Sequence, residues 1–280
     1  MYIRCWGSRG GLPVSGPEFI RYGGDTTCIE VKSNEGDTVI IDAGTGIRNL
    51  GNSLFNQSDI REMNLIFTHA HLDHIMGFPF FSPIYKEQTE LTIFGNHCKT
   101  GSFETVLKEI MRDPYFPVDF DTIPSKIEFE DLSKEPFQIG SLTIIPIVLN
   151  HPNGATGFRI EEKDTSFVFL TDNELEDEQP HSRPTEYYQQ FCQNADLLFH
   201  DAEFTEAEYP NFTAWGHSKY TDAAQLAVKS GVSRFGLFHI NNRRSDDQMD
   251  ELVKDAQRII RSSGSGIECF GVGSDFRINL

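Results

Sequence analysis

The sequence predicts an α/β fold, in which strands and helices alternate along a single domain that spans residues 1–280. Short apolar runs rich in β-branched and aromatic residues, such as Leu142–Leu149, have the length and composition of buried strands. Helical stretches separate these runs, and no repeat or biased linker divides the chain. The chain contains 38% hydrophobic residues and 23 phenylalanines, enough to bury one large core. Together these features favour layers of sheet and helix.

Strands are predicted where short apolar runs are bounded by turn residues. After a strand-like start and a glycine-rich loop over residues 7–24, they cover residues 27–32, 38–42, 65–67, 142–149, 166–171, 234–238, 266–270 and 275–278. One helix is predicted to begin near Ile47, after the turn Gly44-Thr45-Gly46, and the others cover residues 101–111, 185–192, 222–229 and 246–262. Thr221 or Ser218 is the expected N-cap of the helix at 222–229, because a hydroxyl can accept a hydrogen bond from a free helical N–H.

The most informative segment is His69-Ala70-His71-Leu72-Asp73-His74, which directly follows the strand at 65–67. Imidazole and carboxylate ligands together suit zinc, manganese or iron, and the absence of a nearby cysteine argues against a structural thiolate site. Such a turn could also be solvated, or one histidine could satisfy a hydrogen bond in the core. Four ligand-type side chains within six residues favour a catalytic metal centre instead.

This segment resembles the HxHxDH signature of the metallo-β-lactamase superfamily of binuclear metallohydrolases. The superfamily adds a later His, a bridging Asp and a final His, and here His151, Asp172 and His239 each lie at the end of a predicted strand. The resemblance implies an αββα sandwich of two mixed β-sheets flanked by helices. It also implies that one metal is bound by His69, His71 and His151, that the other is bound by Asp73, His74 and His239, and that Asp172 bridges them.

The implied cofactor is a pair of divalent ions, with zinc as the first choice and manganese or iron as alternatives. A water or hydroxide between the ions is the expected nucleophile, because a divalent metal lowers the pKa of bound water towards roughly 7. Asp73 would orient this nucleophile or accept its proton. The ions would not provide a proton for the leaving group.

Two further motifs resemble the RNase Z and phosphoribosyl cyclic phosphodiesterase-like branch of the superfamily. His200-Asp201-Ala202-Glu203-Phe204 is similar to its HEATF motif, and Gly216-His217-Ser218 is similar to its HST motif. The resemblance implies that His217 protonates the leaving oxygen and that Asp201, or Glu203 if the alignment slips, is its carboxylate partner. His217 could instead be a capping or solvated residue. His97 and His181 match no motif and are expected to be structural or surface residues.

The chain also departs from this branch. Transfer-RNA-processing members carry a basic, glycine-rich arm, but only 27 residues (173–199) separate Asp172 from His200, and they are acidic. The cysteine ligand of many true β-lactamases is missing, since Cys192 and Cys269 lie outside the ligand positions. A small or cyclic phosphodiester is therefore the preferred substrate. The alternatives are a tRNA 3′-processing endonuclease, a hydrolase of thioesters, lactones or sulfate esters on the same metals, and a non-catalytic ligand-binding protein.

The formal charge of −18, from 42 acidic and 24 basic residues, argues against long nucleic acids, which are bound largely through Lys and Arg. A phosphate pocket would require Arg9, Arg48, Arg243 or Arg244 to converge beside the metals. The acidic run Glu174, Glu176, Asp177 and Glu178 is expected to be a solvated loop.

The remaining sequence features concern location and assembly. No signal peptide or membrane span is expected, and five widely spaced cysteines fit reduced thiols. A cytoplasmic protein is predicted. The sequence leaves the number of chains open, including a homodimer.

Overall fold

Two mixed β-sheets face each other in the computed structural model, and helices cover their outer sides. The structure describes residues 1–55, 62–97, 101–177 and 179–280. The predicted fold class, an αββα sandwich, is confirmed. No helix within the described ranges combines the length and the apolar character needed to cross a membrane.

The strands of the described residues are numbered in chain order. They are β1 (Tyr2–Gly7), β2 (Arg9–Gly10), β3 (Cys28–Lys32), β4 (Thr38–Ile41), β5 (Glu62–Ile66), β6 (Glu90–Gly95), β7 (Lys126–Asp131), β8 (Phe137–Ile139), β9 (Leu142–Leu149), β10 (Ala155–Glu162), β11 (Thr165–Leu170), β12 (Leu197–Asp201), β13 (Arg234–Phe238), β14 (Ile240–Asn241), β15 (Glu268–Gly271) and β16 (Arg277–Asn279). The helices are α1 (Ile47–Phe55), α2 (Leu72–Ile75), α3 (Phe103–Ile110), α4 (Thr185–Phe191), α5 (Tyr220–Ser230) and α6 (Asp246–Ser262).

Each sheet combines antiparallel and parallel pairing. The first has the order β16-β1-β3-β4-β5-β6-β7, with parallel pairing from β4 to β7. The second has the order β15-β13-β12-β11-β10-β9-β8, with parallel pairing from β11 to β15. Parallel strands end at the same edge of a sheet, so loops that follow β4 and β5, or β11, β12 and β13, lie side by side.

Three apolar layers hold the fold together. The layer between the sheets packs residues such as Ile41 and Ile66 of the first sheet against Phe167 and Phe199 of the second. A second layer joins the first sheet to α1 and α3, and a third joins the second sheet to α4, α5 and α6. Because both faces of each sheet are covered, the central strands are apolar on both sides, which explains their continuous apolar runs.

Most predicted elements are present, with shifts of a few residues at their ends. Three predictions about single residues were wrong. Asp42 is not a strand residue, because the backbone turns there into the left-handed region at φ 62°. Neither Ser218 nor Thr221 caps α5, whose N-cap is Lys219 without a side-chain hydrogen bond. Ser218 Oγ instead donates to the carbonyl of Asn173, and it also accepts from the N–H of Leu175.

Candidate metal centre

Seven side chains converge at the edge where β5, β9, β11 and β13 end, and their ligand atoms fall into two groups. In each group these atoms lie within 4.8 Å of one another. The first group is His69, His71, His151 and Asp172, and the second is Asp73, His74, Asp172 and His239. Asp172 belongs to both groups. The groups coincide with the two sets that the resemblance implies, and their occupation by metal ions remains a prediction.

The ends of β5, β11 and β13 explain this convergence. After β5 the chain reaches His71, the N-cap of the short helix α2, which places Asp73 and His74 in the first helical turn. Asp172 and His239 follow β11 and β13 and adopt left-handed conformations, with φ 54° and 55°. These turns stop the strands and aim both side chains into one site. A left-handed backbone conformation costs free energy at residues other than glycine. Residues strained in this way are often found at functional positions.

The donor atoms fit divalent ions. His69 Nε2 is buried and has no hydrogen-bond partner among the described residues. His74 Nε2 lies 3.2 Å from Asp172 Oδ1, and His239 Nε2 lies 3.3 Å from Asp172 Oδ2. A buried polar atom without a partner is rare in proteins, and imidazole nitrogens facing a shared carboxylate have the composition of a zinc-type site.

Hydrogen bonds behind the ligands fix which ring nitrogen faces the centre. His74 Nδ1 lies 2.7 Å from Asp42 Oδ2, and His239 Nδ1 lies 3.1 Å from Glu203 Oε2. His151 Nδ1 lies 3.1 Å from the carbonyl oxygen of Gly216. Since a carbonyl can only accept, His151 Nδ1 must carry a proton, and the unprotonated Nε2, which lies 3.0 Å from His71 Nδ1, can bind a metal.

Burial and charge divide the histidines into two kinds. Burial lowers the pKa of His69 well below its usual value, and burial also lowers the pKa of His151, to about 4. These rings are neutral, as metal ligands must be. Burial disfavours a charge on His74 and His239 too, but Asp172 and the other nearby carboxylates raise the pKa of both rings well above normal. This half of the centre therefore attracts positive charge, which a divalent ion would supply in exchange for protons.

His217 lies beside the second group. Its ring stacks on His239 with centroids 4.7 Å apart, and the centroid of His151 is 5.2 Å away. His217 Nδ1 lies 2.7 Å from Asp201 Oδ2 and 3.4 Å from Glu203 Oε2. Burial opposes a charge on this ring, but the carboxylates of Glu203 and Asp201 raise the pKa of His217 to about 9. The shorter distance favours Asp201 over Glu203 as its partner.

Sequence reasoning missed two supporting carboxylates. Asp42 contacts His74 and also accepts from the N–H and the hydroxyl of Thr68, each at 2.8 Å. Glu203 was considered only as a partner of His217, although it contacts His239 more closely. The signal for Asp42 is its place at the end of a predicted strand, inside the segment Ile41-Asp42-Ala43-Gly44.

The arginines named above do not form a common phosphate pocket. Arg9 is fully buried and donates to the carbonyl oxygens of Gly23 and Arg244. Arg244 is also buried and pairs with Glu208 at 2.6 Å. Arg48 and Arg243 are exposed.

The interpretation of the acidic run was wrong for Glu174. This side chain is buried, and its carboxylate accepts three hydrogen bonds. Glu176 is exposed as expected, and Glu178 lies outside the described residues.

His97 and His181 are exposed, and His97 pairs with Asp131. Cys5, Cys28, Cys192 and Cys269 are free, and Cys98 lies outside the described residues.

A cavity of about 740 Å³ opens beside the first ligand group. His69 and His71 form part of its wall, and Asn96, Leu132 and Val148 line it farther out. Its volume is in the range typical of small-molecule sites. The candidate centre thus borders a cavity of small-molecule size.

Comparison with known proteins places this geometry in a family. The model of the β-lactamase superfamily domain matches residues 37–240, which is more than half of the chain. The chain belongs to the β-lactamase superfamily. This membership confirms the prediction of a metal-dependent hydrolase.

Three individual proteins show the extent of the similarity. The Ribonuclease Z of Metallosphaera sedula is 26% identical over 273 residues, covering 82% of this chain and 87% of that protein. The metallo-β-lactamase fold protein YhfI from Bacillus subtilis has a TM-score of 0.70 and 20% identity, and the match covers 99% of each chain. A diphosphatase from the PhnP family has a TM-score of 0.68 and 20% identity over 100% of this chain and 97% of that chain. The resemblance to the RNase Z-like branch is confirmed.

Proposed function

We propose that this protein hydrolyses a small or cyclic phosphodiester at a centre of two divalent metal ions. The proposal depends chiefly on one observation, the His217–Asp201 pair, which lies against His239 at the edge of the candidate centre. Phosphodiester hydrolysis expels an oxygen anion that needs a proton. A thioester hydrolase has less need of such an acid, because a thiolate is a better leaving group than an alkoxide.

The residues have separate roles in this proposal. The seven ligands hold the ions, which when bound would activate water and neutralise charge on the phosphate. His217, protonated because its pKa is about 9, donates its proton to the leaving oxygen. Asp201 holds the ring through Nδ1, so that Nε2 carries the transferable proton. Asp73, which accepts from the N–H of Gly11 at 2.7 Å, orients the attacking water.

Several features favour a small substrate over a long RNA. The chain carries a net charge of −18, and residues 173–199 form an acidic loop and the short helix α4 rather than a basic arm, as far as the described residues extend. Glu174, Glu176 and Asp177 line a cleft of about 820 Å³ in this region. The diphosphatase of the PhnP family also supports a phosphate-containing substrate.

Transfer-RNA 3′-processing is the second candidate, and the sequence relatives named Ribonuclease Z favour it. Its difficulty is electrostatic, because RNA would have to bind a strongly acidic protein without a basic arm among the described residues. Thioester or lactone hydrolysis remains a third candidate on the same centre.

We propose zinc as the first metal to test, because imidazoles make up three of the four side chains in the first group and two of the four in the second. The free cysteines of the described residues fit the cytoplasmic location that we propose.

A substrate panel tests the proposal. Purified protein loaded with zinc or manganese would be assayed with bis-p-nitrophenyl phosphate, cyclic nucleotides, phosphoribosyl cyclic phosphate, unprocessed tRNA, a thioester, a lactone and a lactam. We expect turnover of one of the small phosphodiesters. Faster turnover of tRNA, or of the carbon esters alone, would replace the proposal with the corresponding alternative. Asp172→Ala, assayed in parallel, is the control for contaminating activity.

A further inference from the structure

We infer that Glu174 is a positioning residue. By binding the backbone of residues 214–216, it fixes the positions of the candidate metal ligand His151 and of the acid His217. The effect on His217 rests on the proposed function. The effect on His151 is an effect on metal binding, and it does not depend on which substrate is hydrolysed.

The Glu174 carboxylate is a buried acceptor for three donors. Its side chain is only 1% exposed. Oε1 accepts from the hydroxyl of Tyr209 at 2.6 Å and from the N–H of Ala214 at 2.8 Å. Oε2 accepts from the N–H of Gly216 at 2.7 Å. The two backbone N–H groups belong to the residues on either side of Trp215, which is 59% exposed. The carboxylate therefore anchors a segment that otherwise faces solvent.

The Gly216 residue transmits this anchoring to the metal ligand. Its N–H is bound by Glu174, and its carbonyl oxygen lies 3.1 Å from His151 Nδ1. Gly216 has φ 87°, and a Cβ there would lie 2.0 Å from His151 Nδ1. Only glycine allows the backbone to approach the imidazole so closely. A displacement of this residue would therefore release or rotate His151.

The same segment leads directly to the acid. His217 follows Gly216, and its Nδ1 is held by Asp201. Its neighbour Ser218 donates its N–H to Asp201 at 3.0 Å and its hydroxyl to the carbonyl of Asn173 at 2.6 Å. Glu174 and Asn173 thus hold the two sides of the segment that presents His217.

Glu174 itself is fixed at its backbone. Its N–H donates to the carbonyl of Asn150 at 3.0 Å, and its carbonyl accepts from Asn150 Nδ2 at 2.9 Å. Asn150 directly precedes His151, and Glu174 follows Asp172 by two residues. The position of the carboxylate is therefore fixed relative to two candidate metal ligands, His151 and Asp172. A glutamine could not replace it, because its NH₂ group would face one of the three donors.

The test is Glu174→Gln in the full chain. Stepwise zinc affinities would be measured by chelator competition, and kcat and KM would be measured on a phosphodiester with an alkoxide leaving group. We expect one of the two zinc affinities to fall by about 10 to 100-fold while the other is kept, because supporting hydrogen bonds typically have this effect on a metal ligand. We also expect kcat to fall more than KM changes.

Two control variants separate positioning from general damage. Tyr209→Phe removes one of the three donors but keeps both backbone bonds, and should change zinc affinity less than about threefold. Glu176→Gln makes the same substitution at an exposed acid that pairs with Lys219, and should leave both readouts unchanged. Equal effects of Tyr209→Phe and Glu174→Gln, or unchanged zinc affinities and kcat in folded Glu174→Gln, would overturn the inference.

Hydrogen exchange in the wild-type protein keeps the inference testable if Glu174→Gln does not fold. The amide protons of Ala214 and Gly216 should exchange slowly, although Trp215 between them is exposed. Fast exchange at both would show that the carboxylate does not hold the segment. Absence of phosphodiester turnover together with the selective loss of one zinc affinity would contradict the proposed function and leave the role towards His151 intact.

Discussion

The hydrogen bond between His217 Nδ1 and Asp201 Oδ2 orients the ring that we assign as general acid. Stacking on His239 confines the ring from one side. The nearby carboxylates favour its protonated form. Deletion of the ring and removal of its partner should therefore have different kinetic consequences.

Replacing His217 with Ala should leave both metal ions bound and lower kcat by about 10² to 10⁴-fold on a substrate with an alkoxide leaving group. The loss should be smaller with p-nitrophenolate, which is stable as an anion and needs little protonation. Steady-state kinetics on both substrates and metal analysis would check this. Equal losses on both substrates, or loss of metal, would identify His217 as a ligand or a structural residue.

Replacing Asp201 with Asn removes a negative charge that raises the pKa of His217, so the pKa should fall. The ring then loses its proton at a lower pH, so the alkaline decline of kcat should begin at a lower pH than in the wild type. A pH–rate profile on the alkoxide-leaving substrate measures the shift. An unchanged alkaline limb would show that Asp201 does not control the charge of His217.

Strand ends organise the candidate centre. In the parallel pair β12–β13, Asp201 is in register with Phe238, so the next residue, His239, emerges beside the carboxylates of the neighbouring loop. Asp172 occupies the equivalent position after β11. The ligands depend on these ends for their placement, while the apolar interiors of the strands supply stability.

If Asp172 bridges two ions, as the resemblance implies, Asp172→Ala should lose at least one of them. Its two oxygens lie within 3.3 Å of nitrogen atoms from two histidines, and no other described residue belongs to both ligand groups. In the wild type the ions should lie roughly 3.5 to 4 Å apart, as in other two-metal sites. Metal analysis and a metal-loaded crystal structure would measure both. Retention of two ions with full activity would refute the assignment.

Helix α6 allows a stability prediction that is separate from catalysis. Ser245 and Gln248 form a capping box, in which each side chain binds the other residue's N–H. Ser245→Ala should lower the free energy of unfolding by about 0.5–2 kcal/mol, because a helical N–H loses its acceptor. Chemical denaturation measures this change. Activity of the folded variant should be unchanged, and a loss of activity would link α6 to the site.

Charge acts over the whole molecule. With 42 acidic and 24 basic residues, the surface repels polyanions, while the centre itself attracts cations. A small substrate carries only one or two charges and is repelled weakly, whereas RNA would need many phosphate contacts with the acidic surface.

For a small substrate, kcat/KM should therefore change only modestly with ionic strength. Binding of RNA through several phosphates would lose roughly three to five orders of magnitude in affinity between about 50 and 200 mM salt. Kinetics at several salt concentrations and a tRNA binding titration test this. Tight tRNA binding with a steep salt dependence would support the processing alternative.

The sequence by itself determined the α/β class through local patterns, and it determined the αββα sandwich and the candidate ligands through the family resemblance of its motifs. Apolar runs mark strands wherever they are placed, and His69 to His74 form a dense motif within six residues. His151, Asp172 and His239 were identified through the resemblance to the superfamily, and each also follows a predicted apolar strand.

Only the tertiary structure decided the contacts that support these ligands. Asp42 and His74 are separated by 32 positions, and Glu174 and Gly216 by 42. An acidic run looks the same in sequence whether it is solvated or buried, so Glu174 could not be distinguished from Glu176 before packing was known. The arginines likewise gave no sign of their internal partners. Hydrogen bonding and desolvation depend on which loops meet at a sheet edge, and this is a property of the folded chain.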